Sequence, residues 1–265
     1  MAKRQKIGKA LGFIVLSVAF FFLLTSFGFA ENFREKFIVA IDIGHTKNCG
    51  GALSAHGIDE CYYNQKVAFL LLPELVKRGF KKSFIINQDG SDISLIGRTI
   101  EAKNRKADLL ISIHHDSVQP CYLSKWQYQG ESLYYCDLYK GFCILVSDAN
   151  LNSKNSLLFA RQLGADLLNR GFSPTLHHSQ PIKGENRKLL DKEKGIYEFN
   201  KLVILKTATM PAVLIECGII KNRYEEKSIN SAYRNRLVNA VVSSIIEYHN
   251  NLYPETLPKD KKAIK

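Results

Sequence analysis

The sequence predicts an α/β fold: a single domain with a twisted, mostly parallel sheet and helices on both faces. Two observations support this prediction. Short β-branched apolar runs alternate along the chain with amphipathic segments of helical spacing, which is typical of layered α/β domains. No composition shift or linker interrupts residues 31–252, so the alternating segments belong to one domain.

The predicted elements follow one another at regular spacing. Strands are predicted at 37–44, 83–88, 108–115, 142–148, 201–207 and 210–218, each a short apolar run. Helices are predicted at 64–79, 93–106, 156–171 and 231–252, where apolar residues recur at helical spacing. Pro73 lies inside the first of these helices and is expected to kink or break it, because proline removes a backbone donor.

The two ends of the chain differ from the domain between them. Residues 1–30 combine a basic start, an uncharged apolar stretch, and Gly28 and Ala30 at small-residue positions, which predicts a signal peptide cleaved after Ala30. The alternative is an uncleaved membrane anchor, because about 20 apolar residues can span a bilayer. Residues 253–265 are charged and contain prolines, which predicts a flexible tail. The protein is therefore expected to be exported, to the periplasm or the extracellular cell wall.

The charge of the protein suits an anionic partner. The formal net charge is +12, and the first thirty residues carry four positive charges and no acidic one, which leaves about +8. An envelope polymer or a phospholipid surface would match this charge, although it also serves plain solubility. Export argues against nucleic acid as a partner. Contact with a membrane is expected only through an uncleaved signal.

Six cysteines follow the signal: Cys49, Cys61, Cys121, Cys136, Cys143 and Cys217. In an oxidising compartment some of them could pair, and Cys121 with Cys136 or Cys143 would close one loop. Buried free thiols are the alternative, which the apolar surroundings favour for Cys217.

Ionisable residues end three of the predicted strands. His45 ends "FIVAIDIGH", His114 ends "DLLISIH", and Glu216 ends "MPAVLIE". Because the carboxyl ends of parallel strands meet at one edge of a sheet, these side chains can converge. Glu60, in "HGIDE" just before the first helix, is a fourth candidate. His115 should point to the opposite face of an extended strand, which disfavours it as a ligand.

These residue types match a hydrolytic zinc site. Two imidazole nitrogens and one carboxylate oxygen are a common ligand set for zinc, with water in the fourth position. A second carboxylate that does not bind the metal can act as the general base. We therefore predict that His45, Glu60 and His114 hold one zinc ion per chain and that Glu216 is catalytic. Hydrogen-bonded structural histidines and an internal salt bridge of Glu216 are the alternatives.

Three blocks of the sequence resemble the zinc-dependent N-acetylmuramoyl-L-alanine amidases: "IVAIDIGHTKNCGGALSAHGIDE", "ADLLISIHHDS" and "MPAVLIECGIIKN". The resemblance implies that residues 31–252 are a catalytic domain that hydrolyses the amide bond between N-acetylmuramic acid and L-alanine in peptidoglycan. Position by position, it implies His45, Glu60 and His114 as zinc ligands and Glu216 as the catalytic carboxylate. Peptidoglycan is the implied partner, and the need for an activator protein is left open.

The sequence departs from the family's pattern in three places. His115 and Asp116 follow the third predicted ligand where many relatives carry small residues. The glycines that commonly follow the first histidine directly are displaced to Gly50 and Gly51, which should alter the loop over the metal without removing a ligand. Residues 120–142 form a long aromatic stretch around Trp126. This stretch is interpreted either as a substrate groove or lid, or as a packed excursion pinned by a disulfide.

A polar segment, "TLHHSQPIKGENRKLLD", contains His177 and His178. It either borders the substrate cleft, with Arg187 or Lys188 meeting a stem-peptide carboxylate, or forms a solvated loop. No residue is assigned to substrate binding.

Two other functions stay open: a different zinc amide hydrolase of the cell wall, and a non-catalytic envelope-binding protein on the same fold. The presence of all four site residues disfavours the second.

Overall fold

The computed structural model describes residues 34–254, which form a seven-stranded sheet flanked by helices, with a separate two-stranded hairpin. The strands are β1 (Val39–Ile43), β2 (Phe84–Ile85), β3 (Leu109–Asp116), β4 (Ser124–Tyr128), β5 (Glu131–Tyr135), β6 (Cys143–Val146), β7 (Lys188–Asp191), β8 (Ile196–Glu198) and β9 (Ala212–Ile219). The helices are α1 (Glu60–Lys77), α2 (Leu95–Asn104), α3 (Ser153–Asn169), α4 (Val203–Thr207), α5 (Arg223–Ser228) and α6 (Ser231–Leu252).

The predicted signal peptide and nearly all of the predicted tail lie outside the described residues. Within residues 34–254, no helix has both the length and the apolar character needed to cross a bilayer.

The large sheet has the strand order β2-β1-β3-β9-β6-β8-β7. The four strands from β2 to β9 in this order are parallel, because β1 pairs in parallel with β2 and β3, and β3 pairs in parallel with β9. Strand β6 runs antiparallel to β9 and parallel to β8, and β7 closes the edge antiparallel to β8. This arrangement confirms the predicted α/β class with a mostly parallel sheet.

Both faces of the sheet are covered, which explains why its central strands carry apolar residues on both faces. On β1, Val39, Ile41 and Ile43 face a core built with α1, α3 and α6. Ala40 and the residues in phase with it face a second core, to which α2 and α4 contribute. Along β9, Ile215 belongs to the first core and Leu214 to the second, so Glu216 continues the line of the second face.

The strand predicted at 201–207 is wrong, because Val203–Thr207 form helix α4. The segment has only four consecutive apolar residues, 202–205. Such a short run is compatible with a buried strand and with a buried helical turn, so periodicity cannot separate the two. The short helix is stabilised by side chains at its end. The Thr207 hydroxyl donates to the Val203 carbonyl at 2.8 Å, and Asn150 Nδ2 donates to the Leu205 carbonyl at 2.8 Å.

Helix α1 begins four residues earlier than predicted and continues through Pro73. A break at Pro73 is therefore wrong, and the kink given as the other outcome stays a prediction. Pro73 lies on the exposed side of the helix. The carbonyl of Phe69, which loses its backbone donor to the proline, lies on the same side, where Phe69 is 42% exposed. Water can satisfy that carbonyl, which reduces the cost of proline within a helix.

The aromatic stretch at 120–142 contains a β-hairpin, formed by β4 and β5, that the sequence did not predict. Trp126 stacks on Tyr128 with ring centroids 5.2 Å apart, and its Nε1 donates to the Ala55 carbonyl at 3.0 Å. His56 packs edge-on against both rings. The hairpin therefore rests on the loop that follows β1, which agrees with the packed interpretation of this stretch.

The disulfide considered for this stretch is absent, because all six cysteines are free thiols. Backbone and charged groups hold the segment in its place. Cys136 N donates to the Lys221 carbonyl at 2.8 Å, and Arg223 forms an ion pair with Asp137. These contacts join the end of the hairpin to the start of α5.

Candidate active site

Three predicted ligands come together at the carboxyl end of the parallel strands. His45 lies two residues after β1, His114 lies near the end of β3, and Glu60 is the first residue of α1. The backbone ties the start of α1 to the loop after β1, since Glu60 N donates to the Ala52 carbonyl and Cys61 N to that of Gly50, both at 2.9 Å. This connection carries the Glu60 carboxylate to the end of the sheet.

The Glu60 carboxylate lies between the two imidazoles. His45 Nε2 is 3.0 Å from Glu60 Oε2, and His114 Nδ1 is 2.8 Å from Glu60 Oε1. Burial alone would raise the pKa of Glu60, but the hydrogen bonds with His114 and His45 outweigh it and hold that pKa well below its usual range. The carboxylate is therefore ionised and is available as a ligand.

Two glycines leave room for these side chains. A Cβ on Gly44 would lie 2.5 Å from the His114 ring, and a Cβ on Gly51 would lie 2.5 Å from His45 Cδ2 and 2.7 Å from Glu60 Oε2. Gly51 also has φ +84°, which favours glycine. The displaced glycine pair thus still serves the site, because Gly51 is in direct contact with two of the predicted ligands.

A buried arginine supports the strained backbone of His45, which has φ 68°. Arg98 Nη2 donates to the His45 carbonyl at 2.8 Å, and Asn87 Nδ2 donates to the same oxygen at 3.1 Å. Arg98 Nη1 also pairs with the buried Asp42 carboxylate at 2.6 Å. Arg98 could not be identified from the sequence, because nothing in the local pattern of α2 shows that this charge is buried.

Glu216 lies beside the ligand cluster, since it is the direct neighbour of His114 in the register of β3 and β9. Its Oε2 is buried and has no hydrogen-bond partner within the described part of the chain. Burial raises the pKa of Glu216 well above its usual range, and the Asp116 and Glu60 carboxylates raise it further. The structure shows no salt bridge for Glu216 among residues 34–254, so the structural alternative considered for it has no support there.

His115 points away from the ligand cluster, as the alternation of the strand predicts. Its Nδ1 is 2.8 Å from Asn64 Oδ1, and Asn64 Nδ2 in turn donates to Glu60 Oε1 at 3.2 Å. Burial lowers the pKa of His115 to about 3, so this imidazole is neutral. His115 therefore orients Glu60 indirectly and does not face the position that a metal would occupy.

The histidine pair in the polar segment is buried, so the solvated-loop interpretation is wrong for it. His177 and His178 form a 3₁₀ turn and are 1% and 4% exposed. Arg187 contacts Glu185 and His178 inside the protein. The local sequence is polar, and only the tertiary structure shows that these residues pack against the end of β3.

The first cluster fits a zinc ion by its chemistry. His45, Glu60 and His114 can each direct one ligand atom to a common point, and these atoms lie within 4.8 Å of one another. Two imidazole nitrogens and one carboxylate oxygen form the ligand set of many hydrolytic zinc sites, which leaves one position for water. Close approach of Gly44 and Gly51 fixes the two histidine rings.

Replacing Gly51 by alanine should weaken zinc binding by roughly 10–100-fold, the size of effect seen when a support of a metal ligand is lost. The new Cβ would press on His45 and Glu60. Gly171→Ala is the matched control, because Gly171 has φ +77° but no atom within 4 Å of its Cβ position. Chelator competition would measure both zinc affinities. Equal affinities would show that the close approach at Gly51 is not needed.

Comparison with known proteins identifies a family for this chain. The family model described as N-acetylmuramoyl-L-alanine amidase matches residues 39–247. A putative N-acetylmuramoyl-L-alanine amidase of Buchnera aphidicola subsp. Schizaphis graminum is 26% identical over 220 residues, which cover 78% of this chain and 94% of the relative. The probable amidase AmiB of Haemophilus influenzae is 27% identical over 92% of this chain, which spans 59% of that protein.

Solved structures share the fold. The N-acetylmuramoyl-L-alanine amidase of Clostridium difficile 630 superposes with a TM-score of 0.62 at 24% identity, covering 80% of this chain and 96% of that one. Ami1 of Mycobacterium smegmatis gives 0.63 at 19% identity, covering 82% and 98%. The CwlD amidase of Clostridioides difficile, solved in complex with the GerS lipoprotein, gives 0.57 at 18% identity, covering 80% and 98%. Because the family model extends over most of the chain, from β1 into α6, this protein belongs to the N-acetylmuramoyl-L-alanine amidase family.

Proposed function

We propose that this protein is a zinc-dependent hydrolase that cleaves the amide bond between the lactyl group of N-acetylmuramic acid and L-alanine in peptidoglycan. The observation that carries the proposal is the placement of His45, Glu60 and His114 around one point, with Glu216 beside His114 on the next strand. Membership of the amidase family supports the choice of bond.

In this proposal His45 and His114 each give the zinc ion one imidazole nitrogen, and Glu60 gives it one carboxylate oxygen. One ion is held in this site. Bound zinc supplies Lewis-acid polarisation of the scissile carbonyl and lowers the pKa of a bound water toward neutrality. Arg98 and Gly51 keep the His45 ring in place, and Asn64 orients Glu60.

Glu216 has the role of general base and then general acid. Its free Oε2 can accept a proton from the attacking water and return it to the alanine nitrogen as the C–N bond breaks. The products are then a lactyl carboxylate and a free amine. A covalent intermediate with the enzyme is not required. The raised pKa of Glu216 supports the second half of this role, because a carboxyl that binds its proton firmly can carry it to the leaving group.

We infer that the protein acts outside the cytoplasmic membrane, where its substrate lies. The pattern of residues 1–30 supports export, with Glu31 as the first residue after cleavage. The positive net charge suits an anionic wall polymer. A protein activator is a second proposed partner, because the structurally similar CwlD amidase was solved with the GerS lipoprotein.

Product analysis tests the proposed bond. Zinc-loaded protein starting at Glu31 would be incubated with purified peptidoglycan, and the soluble products would be identified by mass spectrometry. We expect free stem peptides with an L-alanine amine, and muramic acid with a free lactyl carboxylate. New carboxylates within the stem peptide would contradict the proposal and indicate a different wall hydrolase. Release that occurs only after addition of envelope proteins would indicate an activator.

A further inference from the structure

A second cluster of metal-binding side chains lies next to the proposed zinc site. It consists of Asp116 at the end of β3 and of His177 and His178 in the 3₁₀ turn between α3 and β7. All three side chains are buried, at 7%, 1% and 4% exposure. None of them has a role in the proposed hydrolysis, so their burial together needs a separate explanation.

Three polar atoms of this cluster face one another. Asp116 Oδ2 is 2.9 Å from His178 Nε2 and 3.5 Å from His177 Nε2. All three atoms are buried and lack a hydrogen-bond partner among residues 34–254. A buried polar atom without a partner destabilises the folded state, so three such atoms at one point need something that binds them.

The outer nitrogen of each imidazole is held by the protein. His177 Nδ1 is 2.9 Å from Thr175 Oγ1, and His178 Nδ1 is 2.8 Å from Glu185 Oε2. A histidine that binds a metal through one nitrogen commonly donates its other N–H to an oxygen in this way. Gln119 Nε2 donates to Glu185 Oε1 at 2.9 Å, and Arg187 contacts both Glu185 and His178 Nδ1, so the protein holds Glu185 in place beside His178.

A simple ion pair does not account for the cluster. A protonated His178 would pair with the Asp116 carboxylate and would satisfy those two residues alone. His177 would keep a buried Nε2 without a partner. Its ring centroid would also lie only 3.9 Å from that of the positively charged His178. A metal cation bound by the two imidazoles and the carboxylate would satisfy all three buried atoms.

We propose that Asp116 Oδ2, His177 Nε2 and His178 Nε2 bind a second divalent transition-metal ion, of which zinc is the best match to two nitrogens and one oxygen. The two sites are neighbours on β3, since His114 and Asp116 are two residues apart, about 7 Å along a strand. The second ion fixes the segment around residues 177–187 against the sheet and places positive charge on the side of Glu216 that faces Asp116. Binding of this ion does not depend on the proposed hydrolysis.

Metal stoichiometry of the full chain tests the proposal. Protein would be dialysed against excess zinc, then against buffer, and its zinc content measured by mass spectrometry. We expect about two equivalents for the wild type, one for His177→Asn, one for His114→Ala, and none for the variant with both changes. His56→Asn is the matched control. It removes a buried imidazole that pairs with Glu226 and belongs to neither cluster. It should keep two equivalents.

The His114→Ala variant keeps the test valid if changes at His177 prevent folding, because it leaves all residues of the second cluster intact. Titration of this variant with Co²⁺ should give the absorption bands of one bound ion. No bound metal in His114→Ala would overturn the second site and leave the first untouched. One equivalent in the wild type that survives His114→Ala but not His177→Asn would support the second site and contradict the first.

Discussion

Replacing Glu216 by glutamine should reduce amide hydrolysis by about 10²–10⁴-fold while leaving the bound zinc in place. Glutamine has nearly the same size and can occupy the same position next to His114, but its amide cannot accept the proton of the attacking water. Glu216 is not one of the residues that converge on the first site, so metal affinity should change little. Initial rates of peptidoglycan release and zinc content, measured on the same preparation, would check both parts.

Glu225→Gln is the control for this substitution. Glu225 is also an acid whose pKa is raised by burial, and it accepts hydrogen bonds from the Ile219 and Gly141 amides, away from the ligand cluster. The control enzyme should lose some thermal stability but keep its rate within a few-fold. If Glu216→Gln kept a near-normal rate, the proton would have to pass through another group, and Glu216 would not be the base.

Replacing His114 by alanine should remove the metal from the first site and abolish hydrolysis with it. The variant loses one of the three proposed ligands and also leaves Glu60 Oε1 without its 2.8 Å contact to imidazole. Loss of a group that merely supports a ligand costs roughly 10–100-fold in metal affinity, and loss of the ligand itself should cost more. Zinc affinity would be measured by chelator competition in a His177→Asn background, so that the second cluster contributes nothing.

The adjacent histidine offers a matched control. His115→Asn removes a buried imidazole one residue away, on the opposite side of the same strand, and its amide can still bond to Asn64. This variant should retain the zinc ion of the first site. Equal loss of zinc in the His114 and His115 variants would show that the fold of β3, and not the His114 nitrogen, controls metal binding.

The central part of the fold could be predicted because its signals are local and strong. Strands β1, β3 and β9 are apolar on both faces, and helix α6 was predicted with its observed bounds. The predictions fail where an element is short. Residues 203–207 form a helix where a strand was predicted, and residues 124–135 form a hairpin that was not predicted. Runs of about five residues carry too little periodicity to separate these structures.

The candidate site divides in a similar way. His45, His114 and Glu216 stand out because ionisable residues end apolar strands, and the structure brings them to one edge of the sheet as expected. Glu60 was identified beside them, although the sequence could not show that it opens α1. Arg98 was missed, because its role comes from α2 packing against the β1 end, 53 residues away from the carbonyl it holds.

The sequence by itself determined the α/β class, the family and the positions of four polar residues at strand and helix ends, because alternation and strand termini are properties of neighbouring residues. Only the tertiary structure decided which polar residues are buried together. His177 and His178 lie in a polar segment that reads as solvated, yet they pack against Asp116 at the end of β3. Burial of this kind depends on contacts between chain segments about 60 residues apart, and such contacts cannot be inferred from the composition of either segment alone.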